Sequence, residues 1–273
     1  MQVKKLPAIA GFIWINAGFR LLFGHFANMV KILFTYVFVF FLFSSLVGWL
    51  SELSSRLGLP DALLKQIFLF FFVLLTPAAS IGFMQACRDT VNGEPVTPLH
   101  FLRGFQGDKR TLLSLLGFGL FQFAAVSVVI ASLPALPEMT FKDLVSATPP
   151  PQDSKDSLLG VLALIAYLAI AVTVWYAPML AAWNKMRAGK AMFYSLAACW
   201  RNKGAFLMFG LGWLMVCMFL IGAVSIIAVL FGDNMVTASL LAMIGLLYAG
   251  AFYCSVYVTY SSVFVGDLEP PAA

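Results

Sequence analysis

Residues 204–266 read "GAFLMFGLGWLMVCMFLIGAVSIIAVLFGDNMVTASLLAMIGLLYAGAFYCSVYVTYSSVFVG" and carry a single charged residue, Asp233. A helix that crosses the hydrocarbon of a membrane needs about 20 apolar residues. The stretch holds enough for two, with one interruption strong enough to turn the chain, the string FGDN at 231–234. It therefore predicts two membrane helices joined tightly, rather than one or three.

Outward from this pair, the chain has four more long runs free of Asp, Glu, Lys and Arg: Ile32–Ser51, Gln66–Cys87, Thr111–Pro137 and Ser157–Asn184. The predicted fold is all-α, a polytopic transmembrane bundle of six helices at about 32–52, 67–87, 112–132, 160–182, 206–230 and 237–261. They form one integral membrane domain over 1–273, with an external loop at 134–157. Composition agrees: 62% of residues are hydrophobic, 11% are charged and the mean hydropathy is +0.93. That is more apolar surface than a soluble core absorbs. Strict apolar and polar alternation is absent, which argues against an outer-membrane barrel. At the start, Lys4, Lys5 and a short apolar run resemble a signal peptide, but Pro7 and Trp14 interrupt it, so the segment is read as mature chain.

Lysine and arginine in short loops set membrane orientation. Thirteen of the 17 fall in the segment before the first span and in the loops after the second and fourth, leaving Arg56, Lys65, Lys142 and Lys155 for the other side. The basic side is predicted to be cytoplasmic, and both termini with it. For the C-terminus this rests on helix parity, because "GDLEPPAA" has no basic residue.

Cutting before each basic segment gives units of about 1–87, 88–184 and 185–273, each a basic stretch, a helix out and a helix back. Gly117-x-Gly119 and Gly210-x-Gly212 stand at the same distance from the preceding cations Arg110 and Lys203. Pro77 and Pro178 both fall late in helices two and four. These matches predict three repeated hairpins with cytoplasmic interfacial helices. In the third, Phe193, Leu196, Ala197 and Trp200 form an apolar stripe at i, i+3, i+4 and i+7, with Lys190 and Arg201 off it, the pattern of a helix lying on a membrane surface. Phe19, Leu22, Phe23 and Phe26 repeat the spacing, with Arg20 and Lys31 outside it. The middle copy begins with Thr97 as cap and Pro98 at the first position, and Gly104 and Gly107 weaken it.

The candidate lipid or partner contacts are therefore Arg20, Lys31, Arg103, Lys109, Arg110, Lys190, Arg201 and Lys203. Enforcing topology, binding anionic headgroups of the cytoplasmic leaflet and docking a partner membrane protein or second copy are all open uses for them. Nucleic acid is not an expected partner.

No Asp, Glu, Lys, Arg or His lies inside any of the six runs, which counts against an ion-driven pump. Pro77, Pro178 and Tyr253 mark the candidate substrate path of a carrier. Nucleotide loops, metalloprotease and serine-hydrolase motifs and carboxylate pairs within the membrane are missing, so no catalytic residue is assigned. His25 and His100 are read as interfacial polar groups. Cys87, Cys199, Cys217 and Cys254 are read as small buried apolar residues rather than redox or metal ligands, and no cofactor is expected.

Trp175, Pro178, Lys190, Cys199, Arg201, Asn202, Gly210 and Gly212 follow a pattern of W-x-x-P, a Lys-containing small-residue segment, C-x-R-N and a glycine-rich helix. Over 175–215 the chain resembles uncharacterised six-helix inner-membrane proteins of proteobacteria. More distantly, its layout is similar to the membrane domain of bacterial glycerophosphodiester phosphodiesterases, without their catalytic domain. The resemblance implies six helices in the inner membrane and no known activity. Together these readings point to a non-enzymatic scaffold or accessory protein using its basic cytoplasmic segments, with a small-molecule or lipid carrier as the alternative.

Overall fold

The computed structural model describes residues 2–56, 61–132, 154–232 and 234–265. Most of the predicted external loop lies outside them, as does the tail after Val265. The protein is an all-α polytopic bundle with six helices long and apolar enough to cross a membrane. The first hairpin is α2 (Phe26–Arg56) with α3 (Asp61–Val91), preceded by a short α1 (Ala10–Gly24). A 3-10 helix (Pro98–Gly104) leads into α4 (Lys109–Ser132). The fourth span is broken into α5 (Ser154–Val174) and α6 (Ala177–Asn184), and α7 (Ala188–Arg201) connects it to α8 (Lys203–Phe231) and α9 (Met235–Val263). The turn at FGDN separates α8 from α9, with Gly232 at φ +73° and the Asn234 side chain accepting from the N–H groups of Val236 and Thr237.

α2 and α3 have 31 residues each. At about 1.5 Å per residue they reach roughly 46 Å, well beyond the about 30 Å of hydrocarbon. The short elements gather at the basic end of the bundle. Both ends of the described chain meet there: β1 (Gln2–Val3) pairs antiparallel with β2 (Phe264–Val265), and the Lys4 N–H donates to the Val263 carbonyl at 2.8 Å. The two termini therefore leave the bundle on one side, in accord with the parity expectation.

Burial divides the molecule in two. The core, with Trp14, Leu22, Met84, Tyr176, Leu180 and Tyr260, is concentrated at the basic end. Beyond Phe34 in α2 and beyond Trp213 in α8 the helices expose large apolar side chains almost continuously, Val229 being 83% exposed. Lipid tails solvate such faces as well as another helix does, so hydrophobicity gives the far halves no reason to close. Small residues let neighbouring helices approach. In α4 a Cβ on Gly119 would collide with the Leu74 carbonyl of α3; in α8 one on Gly212 would collide with Ile15 of α1, while Gly117 and Gly210 have open space. The second glycine of each GxG pair thus faces a neighbouring helix, Gly119 against backbone and Gly212 against the Ile15 and Phe12 side chains.

α1 differs from the interfacial helix its pattern predicts. Within the predicted stripe, Leu22 is fully buried and Phe19 is half-buried and stacks on Trp213 at 5.6 Å, while Phe23 and Phe26 are exposed. α8 and α9 make their main contacts to α1 rather than to each other, so α1 is a wedge in the last hairpin. With 15 residues, about 22 Å long, it is too short to span. Its apolar stripe answers a protein groove, which has the same periodicity as a lipid surface.

Candidate functional site

A lateral cavity of about 720 Å³ opens between α2, α3 and α9. From α2 come Leu33, Tyr36, Phe40 and Phe43, at the i, i+3, i+7 and i+10 positions of one face. α3 contributes Phe72, Thr76, Ala79 and Phe83; α9 contributes Leu246, Ala249 and Tyr253. Phe101 and Leu102 of the 3-10 helix, with Phe105, line it at the basic end. The Tyr36 ring stands edge-on to Phe83 and Phe101 at 5.9 and 5.0 Å, and its hydroxyl donates to the Ala79 carbonyl. Polar groups on the α3 wall are turned inward: Thr76 Oγ1 donates to the Phe72 carbonyl and Ser80 Oγ to the Pro77 carbonyl, both at 2.8 Å. Almost nothing but hydrocarbon faces the space.

On another face of α3, Gln85, Asp89, Arg103, Gln106, Thr111 and Lys185 border a polar recess of about 390 Å³. His100 Nδ1 lies 3.1 Å from the Thr97 N and 2.9 Å from the Thr97 carbonyl oxygen, and its Nε2 lies 2.9 Å from Asp89 Oδ2. Gln85 Nε2 donates to Asp89 Oδ1 at 2.7 Å and accepts at Oε1 from Trp183 Nε1 at 2.9 Å. His100 is thus buried, at 3% exposure, where the sequence suggested an interfacial group. It is the N3 partner of Thr97 in a capping box and ties the 3-10 helix to α3. At the rim, Asp108 accepts from Thr111 Oγ1 and, at 3.2 Å, from Lys185 Nζ. These two donors hold its carboxyl below the usual carboxylate range.

The third feature is the outer face of α7. Phe193, Leu196, Ala197 and Trp200 all point away from the protein, while Ala191, Ser195, Ala198 and Cys199 are buried. Trp200 is 71% exposed, and Lys203 Nζ lies 5.1 Å from its ring centroid. Lys190 lies over Tyr194 in the same way at 5.8 Å. Leu99 and Leu102, beside Arg103, expose a smaller apolar patch on the 3-10 helix.

All eight cations singled out in the sequence are exposed at the basic end, but they are spread over it: Arg20 and Lys31 flank the α1–α2 junction, Arg103 lies on the 3-10 helix, Lys109 and Arg110 start α4, and Lys190, Arg201 and Lys203 surround α7. Tyr253 lines the lateral cavity; Pro77 is buried in the wall that carries Thr76 and Ala79. Pro178 sits apart, in the core under α7.

That core explains residues the sequence left without a role. At the break between α5 and α6, the Ser195 hydroxyl accepts from the Tyr176 N–H at 2.9 Å and donates to the Val172 carbonyl at 3.0 Å. It is inserted into the i to i−4 bond that a continuous helix would make there. Asn202, 1% exposed, accepts at Oδ1 from the Leu6 N–H at 2.8 Å and donates through Nδ2 to the carbonyls of Lys4 and Ala198 at 3.0 Å each. The asparagine of the C-x-R-N element therefore pins the N-terminal segment across the start of α8.

No family model matches the chain, and no solved structure matches it. The sequence is 28% identical over 280 aligned residues to a "probable inner membrane protein" of Burkholderia thailandensis, an alignment covering 100% of this chain and 97% of that protein. The similarity thus runs well beyond 175–215, and no comparison supports the layout's likeness to glycerophosphodiester phosphodiesterases.

Proposed function

We propose that the protein is a lipid-binding, non-enzymatic protein of the bacterial inner membrane, with its basic end in the cytoplasm. The observation that carries this is the lateral cavity: its volume of about 720 Å³ lies in the range of small-molecule sites, yet its walls offer acyl chains rather than polar solutes a home. The lysine and arginine asymmetry supports the orientation, and the name of the Burkholderia relative supports the inner membrane. The exposed face of α7 fits the same reading. Its aromatic side chains lie beside Lys190, Arg201 and Lys203, each cation adding about 1 kcal/mol near an anionic leaflet.

Extraction in native-membrane discs followed by mass spectrometry tests this. A lipid retained through delipidation by the native chain, and lost from Ala249→Trp, is the expected result. Equal retention by both would refute a cavity-bound lipid. The second reading is a scaffold that docks a partner protein on α7, favoured by the 71% exposure of Trp200. It calls for a stoichiometric partner that leaves in Trp200→Ala.

A further inference from the structure

Three sulfur atoms meet where α2, α3 and α9 pack together at the basic end. Cys254 Sγ lies 3.9 Å from Cys87 Sγ and 3.7 Å from Met29 Sδ, and all three residues have 0% exposure. In the thiol form these spacings are those of weak S–H···S contacts. They are also two edges of a trigonal ligand set. If the third edge, from Cys87 to Met29, closes to the same length on binding, the centre of the triangle lies about 2.2 Å from each sulfur, close to the about 2.3 Å of a metal–thiolate bond.

We infer that Met29, Cys87 and Cys254 form a binding site for a soft monovalent cation, Cu(I) in particular. Thiolate and thioether donors select Cu(I) over harder ions. Among the described residues no group of three His, Cys, Asp or Glu assembles, so the four-ligand set that zinc requires is missing here and the thioether of Met29 completes the set. A monovalent ion also suits a dry interior. When Cu(I) bonds to Cys254 it takes the place of the thiol proton, which leaves to solvent; one positive charge enters as one departs, and with Cys87 and Met29 as neutral donors the site keeps zero net charge. A divalent ion would leave an uncompensated charge, which an apolar site penalises heavily. No electron is transferred, since the copper arrives already reduced. The geometry departs from the sequence expectation of inert buried cysteines because Met29, Cys87 and Cys254, far apart in the chain and on three helices, converge only in the fold. It is independent of lipid binding, which occupies a separate cavity and is read by lipid retention rather than by metal.

The test is a titration of the reduced, detergent-solubilised full chain with Cu(I) against a chromogenic Cu(I) chelator, with X-ray absorption on the loaded sample. One Cu(I) per chain in a sulfur-only shell is expected, with affinity at least tenfold weaker in Cys254→Ser and in Met29→Leu, and unchanged in Cys217→Ser. Because a buried substitution can unfold a bundle, the variants are compared at matched melting temperature, and Met29→Leu conserves volume while deleting the ligand atom. Native-like affinity in both Cys254→Ser and Met29→Leu would overturn the site. So would a Cys87–Cys254 disulfide that, once reduced, takes up no copper.

Discussion

Replacing Ser195 by alanine removes one oxygen that serves two helices at once. In the break between α5 and α6 that oxygen accepts from the Tyr176 N–H and donates to the Val172 carbonyl. The carbonyl keeps other donors in the variant, from the Trp175 N–H at 3.4 Å and more weakly from Cys199 Sγ at 3.8 Å. The Tyr176 N–H keeps none, and Tyr176 itself has 0% exposure. A buried backbone donor left without a partner costs about 1–3 kcal/mol. The backbone could recover this only by closing the ordinary helical bond from Tyr176 to Val172. Pro178 opposes that closure, because its ring clashes with the turn before it and it has no N–H to give. Ser195→Ala is therefore expected to lower unfolding free energy by about 1–3 kcal/mol, measured by steric trapping in bicelles. In a Pro178→Ala background, where α5 and α6 can join, the same substitution should cost less, with a coupling of about 1 kcal/mol or more between the two sites. Equal costs in both backgrounds, or a neutral Ser195→Ala, would refute the bridging role.

Asn202→Leu removes three hydrogen bonds between the α7–α8 junction and the backbone, a loss of about 2–3 kcal/mol; trypsin should then cut at Lys4 and Lys5 faster than in the native chain, and unchanged cleavage would refute the clamp. Asp108 is an exposed carboxylate held below its ordinary 3.8 by Thr111 and Lys185. A depressed value in the folded state means stability present above the unfolded value and lost as pH falls through the lower folded one. The difference in melting temperature between the native chain and Asp108→Ala should be small, constant from neutral pH down to about 5, and gone once the folded carboxyl is protonated; a difference that grows on acidification would show the sign to be wrong.

The six spans and the common side of the termini were legible because lipid imposes one rule on every span: about 20 apolar residues without charge. The α7 stripe was readable too, since Phe193, Leu196 and Trp200 are exposed as their spacing implies. The same spacing misled at α1. Periodicity reports that a helix has an apolar face but not what covers it, and there α8 and α9 do. The cavity was legible only in fragments. Tyr253 and the neighbourhood of Pro77 were marked, but the α2 face with Tyr36 and Phe40 is one of many phenylalanine-rich faces in a chain with 27 phenylalanines. Asn202 was marked only as part of the C-x-R-N element, and Ser195 and the Asp89–His100 pair left almost no signal, since single polar residues are common and their partners lie on other elements.

The uneven packing locates the cavity. α3 is the element on which the basic end is assembled: Gly104 of the 3-10 helix sits so close to the Ala78 carbonyl that no side chain fits between them, and Gln85 and Asp89 tie its other face to Trp183 and His100. These contacts begin just past Pro77, which interrupts the hydrogen-bond ladder of α3 without breaking the helix. On the far side of Pro77, α3 meets α2 through Phe72 on Phe40 at 6.1 Å and Phe68 on Phe43 at 4.3 Å, with no glycine drawing the backbones together. The cavity lies where close backbone contact gives way to large side chains. Between α2 and α3, phenylalanines in place of small residues on this side of Pro77 leave space, and a space of this kind in a bilayer suits the hydrocarbon around it. The proposed lipid binding thus has its basis in the same residue distribution that divides the bundle into a closed basic end and a more exposed far end.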